Sequence, residues 1–278
     1  KIHDDFNRIV DRIQVSLITD TEKAAEMLVK AREAYSFRDD KIGGMTDEDV
    51  DQFYSCELCQ SYAPNHICIV TPQRLGLCGA YTWLDCKASH QINKHGPNAP
   101  VDKGETVDAR LGQWTNINDF ITTISNGTFE KFSAYSIMED PMTSCGCFEC
   151  IAAIVPEANG IMIVDRDFLG MTPVGMTFSS LAGQVGGGLQ VPGFTGIGRL
   201  YISSPKFISA EGGQPRIVWM NKQLKETIGD RLKPLLEKMG QADLFDKIAT
   251  EEDADEPDKL VEYLTQKGHP ALEMESLF

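Results

Sequence analysis

The sequence lacks most of the features that would send a chain to a membrane, to nucleic acid or to a nucleotide. It has no run of about 18 apolar residues, so no transmembrane helix is expected, and no basic-then-apolar opening that would read as a secretory signal. Positive charge is scarce: 26 basic residues stand against 41 acidic ones, a net charge of −15. Wrapping on nucleic acid and docking to anionic lipid are thereby disfavoured, and the chain reads as cytoplasmic. The triple glycine Gly186-Gly187-Gly188 has no Lys-Ser/Thr after it and is not a P-loop. Its default reading is a flexible turn, and its functional reading is a close approach of backbone to a metal site or partner. No internal repeat and no Ser–His–Asp signature is found.

What remains is an ordinary globular composition, 42% apolar and 24% charged over 278 residues, long enough for a real core without covalent staples. The chain begins with Lys1, which reads as a fragment or a processed product. Asn126-Gly127-Thr128 matches a glycosylation sequon but is taken as chance in a chain without a secretion signal.

Hydrophobic periodicity predicts a strand at 13–19. A helix capped by Asp20 or Thr21 should then run to about Ala34, with Ala24, Met27, Leu28 and Ala31 on one face. Further strands are expected at 67–71, 132–138, 160–165 and 216–220, a short helix near 149–154, and a long surface loop over 87–113. Leu224, Ile228, Leu232, Leu235, Leu236 and Met239 recur at helical spacing, with Gly229 and Pro234 expected to break or bend that helix. Another helix should span 257–266 and stop at Gly268. The expected fold class is α/β: a mixed sheet flanked by helices, a metal cluster held on loops at strand ends, and a helical C-terminal tail from about 221 to 278. The whole of 1–278 is read as a single domain.

The informative residues are the eight cysteines. In a chain without a secretion signal, clustered thiols bind metal more often than they form disulfides. Cys56, Cys59, Cys68 and Cys78 follow a C-x2-C-x8-C-x9-C pattern, which suits a tetrahedral zinc or a [4Fe–4S] cluster. Only one pair is tight, which places iron–sulfur ahead of zinc. Cys86 reads as a packed thiol. Cys150 follows Cys147 at CxxC spacing, which admits it as a further ligand but does not require it.

The stretch MTSCGCFEC, 142–150, is sharper. Cys145-Gly146-Cys147 can offer one ion two thiolate sulfurs and the two amide nitrogens of Gly146 and Cys147, all in one plane. A low-spin d8 ion such as Ni(II) takes that square, whereas zinc prefers a tetrahedron. The outer lone pairs of both sulfurs remain free to bridge to a second soft metal. A lone CGC is more often a packed turn or a redox pair; beside a four-cysteine block, the metal reading takes precedence.

The segments SCELCQSYAPNHICIVTPQRLGLCGAY (55–81), PMTSCGCFECI (141–151) and GMTPVGMTFSSLAGQVGGG (170–188) together resemble the acetyl-CoA synthase subunit of the CO dehydrogenase/acetyl-CoA synthase complex. The likeness covers nearly the whole chain and corresponds to the C-terminal domain that bears the A-cluster. It implies a [4Fe–4S] cubane on Cys56, Cys59, Cys68 and Cys78, and a proximal nickel on Cys59, Cys145 and Cys147 (a position that copper or zinc also fills). A distal nickel would sit on Cys145, Cys147 and the backbone nitrogens of Gly146 and Cys147. It also implies an acyltransferase that joins CO to a methyl group from a corrinoid iron–sulfur protein and releases acetyl-CoA with CoA. The other implied partners are a CO dehydrogenase subunit and a ferredoxin. Tyr62 and Phe148 could wall the nickel pocket, though core packing is the preferred reading for each. His66 reads as a satisfied loop histidine. Arg199 and Lys206 read as surface charges before CoA contacts. The rival readings are a non-catalytic [4Fe–4S] electron-transfer module and a zinc-stapled interaction domain.

Overall fold

The computed structural model describes residues 17–278. The strand expected at 13–19 lies partly outside the described residues, and 17–20 belong to no regular element. Asp20 does cap the first helix, α1 (Thr21–Ile42), its carboxylate accepting from the Lys23 amide at 2.8 Å. The helix runs well past Ala34. Its apolar stripe faces solvent, with Met27 and Leu28 exposed and only Ile42 buried.

A three-stranded antiparallel sheet follows, ordered β2–β1–β3, from β1 (Gln52–Cys56), β2 (Cys68–Val70) and β3 (Pro100–Asp102). Between β2 and β3 lies α2 (Trp83–Ile92). Its start is a capping box in which Thr82 and Asp85 satisfy each other's backbone amides. The second half of that helix, together with β3 and β4 (Thr106–Asp108), breaks up the long loop expected over 87–113. The TWLD stretch carries the local N-terminal signal that composition concealed. β4 pairs with β5 (Gln113–Trp114), which leads into α3 (Thr115–Ile124).

The second sheet is mixed, ordered β8–β6–β7–β9, from β6 (Cys150–Val155), β7 (Gly160–Asp165), β8 (Phe194–Ile197) and β9 (Ile217–Met220). β6 runs antiparallel to β7 and β8, while β7 and β9 are parallel. Every residue of β6 and β7 is buried, because both faces are covered. Ile151, Ala153 and Val155 point to the core shared with the first sheet, α4 (Phe178–Val185) and α8 (Pro257–Lys267). Cys150, Ala152 and Ile154 point to a second core under α6 (Lys222–Lys238). The helix expected near 149–154 is therefore this central strand: a doubly buried strand is continuously apolar and shows no period of two.

The strand expected over 132–138 is irregular. Its amides are satisfied by turns and loops instead, Ser133 donating to Asp140, Ala134 to Gly112 and Tyr135 to Leu111. In the tail, α6 passes through Gly229 and Pro234 without interruption, because Leu224, Ile228, Leu232 and Leu236 anchor one face in the second core. The remaining helices are α5 (Arg199–Ile202), α7 (Leu244–Lys247) and α8. The last ends on Gly268 in the left-handed region, φ 58°. Among the described residues, no helix is long and apolar enough to cross a membrane.

Candidate metal centre

Six of the eight cysteines project from the ends and connections of these elements. Cys56 closes β1 and stands opposite Cys68 at the start of β2. Cys59 lies on a single 3-10 turn, Leu58–Ser61, and its carbonyl accepts from the amides of Tyr62 and Ala63. Cys78 sits on the turn before Gly79, whose φ of 71° is in the left-handed region. Cys145, Gly146 and Cys147 occupy the connection into β6.

Three contacts stitch the two cysteine blocks and the glycine-rich segment together. The Glu149 amide donates to the Leu77 carbonyl at 2.9 Å, joining the CGC connection to the residue before Cys78. Gly188 donates to the Ser144 carbonyl at 2.8 Å, and the Ser144 hydroxyl accepts from the Gly196 amide at 2.8 Å. The triple glycine is thus a close approach. A Cβ on Gly188 would lie 3.1 Å from the His66 nitrogen, and one on Gly186 would press on the Ala182 carbonyl at 2.8 Å.

This stitching brings the sulfurs of Cys59, Cys145 and Cys147 within 4.8 Å of one another. Thiolates on one tetrahedral ion would be roughly 3.8 Å apart for metal–sulfur bonds of about 2.3 Å, so this trio has the spacing of a single-ion site. No other trio of cysteine, histidine or carboxylate ligand atoms among the described residues is that close. Of the four-cysteine block, Cys59 joins this trio, while Cys56, Cys68 and Cys78 lie outside it. Gly146 adopts φ 105°, and a Cβ built there meets no atom within 4 Å. Glycine is demanded there by the backbone and not by crowding, and the space in front of the tripeptide is open. The Cys147 amide approaches the Cys145 sulfur at 3.3 Å.

The thiols are crowded enough to disturb one another's protons. Cys145 is pushed down to about 4 by the hydrogen bond from Cys59, with His66 adding a second one. Cys59 is pushed up, first by that same bond to Cys145 and then by burial. Burial raises Cys56, Cys68 and Cys147, and neighbouring thiolates raise each of them further. A set of sulfurs that cannot all ionise alone fits a cationic group that would replace their protons. All eight cysteines are free thiols.

The other sequence candidates separate cleanly. Cys86 is fully buried, takes a hydrogen bond from Asn98 at 3.3 Å and belongs to the core. Cys150 is buried on the far face of β6, with its sulfur 4.0 Å from Asp165, outside the thiol group. Phe148 packs in the core against Phe178 at 5.9 Å. Tyr62 does not pack there: it is 79% exposed on the turn after Cys59. Arg199 is an internal tie and not a free surface charge. Its guanidinium pairs with Asp165 at 2.7 Å, and its amide donates to the Glu149 carboxylate at 2.7 Å. Lys206 pairs with Glu48 at 2.7 Å. His66 is buried and satisfied by Thr143 at 2.9 Å, as expected of a loop histidine, and it also supports the Cys145 thiolate. That second role escaped sequence reasoning because Thr143 lies 77 positions from His66 and Cys145 further still.

Three loop-borne thiols converging on a mixed α/β scaffold are the arrangement of a domain that could hold a metal ion. The chain belongs to the C-terminal family of the ACS/CODH beta subunit, whose model matches residues 35–278. It is 55% identical over 279 residues to the carbon monoxide dehydrogenase/acetyl-CoA synthase subunit alpha of Moorella thermoacetica, covering 100% of this chain and 38% of that protein. To the acetyl-CoA decarbonylase/synthase complex subunit beta 2 of Methanocaldococcus jannaschii it is 46% identical over 264 residues, covering 95% of this chain and 55% of the relative. A solved C-terminal domain of the acetyl-coenzyme A synthase alpha subunit is 54% identical; it aligns over 49% of this chain and 100% of that one with a TM-score of 0.46. The chain thus spans between about two fifths and just over half of these two relatives' length.

Proposed function

We propose that this chain is the catalytic, metal-bearing part of an acetyl-CoA synthase. Cys56, Cys59, Cys68 and Cys78 would hold a [4Fe–4S] cluster. Cys59, Cys145 and Cys147 would hold a proximal nickel, and Cys145, Cys147 and the amide nitrogens of Gly146 and Cys147 a distal one. The observation that carries this reading is the convergence of Cys59 with Cys145 and Cys147, three sulfurs within 4.8 Å drawn from two distant blocks. When bound, the group supplies the chemistry that joins CO and a methyl group into an acetyl unit for transfer to CoA.

The chain's own residues do the rest. Cys59 belongs to both thiol sets and is the natural bridge between them. His66, locked by Thr143, favours the thiolate form of Cys145. A Cβ on Gly146 would meet no atom within 4 Å, and Gly186 lies beside the tripeptide, a Cβ there standing 3.8 Å from the Gly146 Cα. The whole subunit would work with a CO dehydrogenase subunit, a methylated corrinoid iron–sulfur protein and a ferredoxin.

The test is metal content and exchange activity in anaerobically reconstituted protein. About two nickel and four iron per chain are expected, whereas iron alone would favour an electron-transfer module and zinc alone a stapled scaffold. Cys147→Ser should strip nickel while sparing most iron, and abolish CO/acetyl-CoA exchange. Exchange at the wild-type rate in that variant would overturn the proposal.

A further inference from the structure

Of the four cysteines in the first block, Cys78 is the one that lies on neither a strand nor a helical turn. Cys56 and Cys68 face each other in the β1–β2 ladder, and Cys59 sits on its own 3-10 turn. Cys78 lies on a loop closed on itself, Gly76 donating to the Tyr81 carbonyl at 2.8 Å and Gly79 to the Gly76 carbonyl at 2.9 Å. A distant residue grips this loop on both sides of the thiol. The Glu149 amide donates to the Leu77 carbonyl at 2.9 Å. The Glu149 carboxyl group lies against Gly79, where an added Cβ would stand 2.3 Å from the carboxyl carbon. Cys78, Gly79, Glu149 and Arg199 line one cavity of about 460 Å³.

The carboxylate is itself held. Its Oε2 accepts from the Arg199 amide at 2.7 Å, and its Oε1 lies 3.8 Å from Nη1 of the same residue. The Arg199 guanidinium is anchored in turn on Asp165 at the end of β7, through Nε at 2.8 Å and Nη2 at 2.7 Å. Gly198 adds a close approach to the same loop, since a Cβ there would lie 2.9 Å from the Gly76 carbonyl oxygen. A carboxylate fixed in this way passes the position of the sheet on to the loop, and Glu149 stands two positions after Cys147. We infer that Glu149 is a positioning residue: its carboxylate sets Cys78 in place as a cluster ligand and ties that ligand to the Cys145-Gly146-Cys147 tripeptide. This rests on the cluster reading above. Groups that touch neither metal nor substrate but fix the orientation of a ligand are felt in metal retention. A cubane whose fourth thiolate is misplaced holds its fourth iron weakly, a signature that general loss of stability does not produce.

The experiment uses the 278-residue chain, wild type and Glu149→Ala, Glu149→Gln and Glu149→Asp. Metal-free, reduced samples are treated with iodoacetamide, and the labelling rate of each cysteine is read by peptide mass spectrometry. Parallel samples are loaded anaerobically with iron and sulfide, and their iron content and the electron paramagnetic resonance of the oxidised cluster are recorded. In Glu149→Ala, Cys78 should be labelled about tenfold faster than in wild type, with Cys56 and Cys68 unchanged. The loaded Glu149→Ala chain should hold about three iron and show the signal of a three-iron cluster, against about four iron in wild type. Glu149→Gln, whose amide oxygen can still accept from the Arg199 amide, should stay close to wild type in both measurements. Should Glu149→Ala not fold, Glu149→Asp, one methylene shorter, reads the same contrast. Unchanged labelling of Cys78, or the full iron complement in the shortened variants, overturns the role and leaves the cluster reading intact. Faster labelling of Cys56, Cys68 and Cys78 alike would also overturn it, because Glu149 would then support only the fold. A wild-type chain that takes up no iron and sulfide overturns both readings.

Discussion

The two halves of the molecule solve opposite problems. Around the mixed sheet, β6, β7 and β9 are buried throughout, regular and almost purely apolar. Around the thiols, the backbone is a set of turns held by single hydrogen bonds and glycines, and the buried groups are sulfur, histidine and arginine. Cys150 and Cys147, three positions apart, fall on either side of this division: one is inert inside the sheet, the other open at the centre. Regular pairing commits backbone groups to neighbouring strands and fixes side chains by alternation. Irregular backbone leaves side chains free to converge from several directions, as a polynuclear site requires. The scaffold half can therefore be judged by packing, and the thiol half by what its charges lack.

The largest effect should come from breaking the scaffold. Trp219 on β9 is fully buried, packs edge-on to Phe168 at 5.9 Å and donates to the Ala254 carbonyl at 2.9 Å. Trp219→Ala should cost about 3–5 kcal/mol through the cavity and the orphaned carbonyl. Denaturant midpoints of the metal-free chain measure this. A loss below about 1 kcal/mol would show that the sheet does not govern overall stability.

The scaffold half also carries its own pH dependence. His269 is buried, its Nε2 donating to the Ile217 carbonyl at 3.0 Å and its Nδ1 accepting from Ala271 at 3.2 Å. Both contacts suit the neutral ring, and burial pulls its pKa from 6.5 down to about 4. The unfolded chain binds this proton first as pH falls, so the contribution is fully present above 6.5 and is lost progressively toward 4. It is worth up to about 3 kcal/mol. Buried carboxyls such as Glu211 are shifted upward and act in the opposite sense, so the quantity to measure is wild type minus His269→Gln. That difference should shrink between pH 6.5 and 4; a flat difference would remove His269 from the account.

The two halves were also unequally legible. The tight spacings of Cys56 with Cys59 and of Cys145 with Cys147 drew attention to both blocks, and the structure brings Cys59, Cys145 and Cys147 together. The contacts that arrange them could not be read from spacing: Glu149 against Gly79 and His66 against Cys145 join segments that only the folded chain brings together. In the scaffold, GIMIVD was readable as a strand because it is short and β-branched. CIAAIV was not, because burial on both faces erases the alternation that distinguishes strand from helix. The stripe of α1 misled in another way, since periodicity reports an apolar face but not whether anything covers it.

The smallest effects separate two kinds of glycine within the thiol half itself. At Gly79, φ is 71° and a Cβ would lie 2.3 Å from the Glu149 carboxyl group. That carboxylate also accepts from the Arg199 amide at 2.7 Å, so it cannot withdraw without releasing a buried donor. Gly79→Ala should therefore cost about 2–3 kcal/mol, from left-handed strain and displacement of Glu149 together. At Gly146, φ is 105° but the added atom meets nothing within 4 Å, so Gly146→Ala should cost only about 1–2 kcal/mol in the metal-free chain. The order should reverse when nickel retention is measured: Gly146 stands between the two thiols and contributes one of the amide nitrogens that would bind the ion, whereas Gly79 acts at a distance through Cys78. Stability and nickel retention ranking the two variants alike would mean that the tripeptide is not a metal seat.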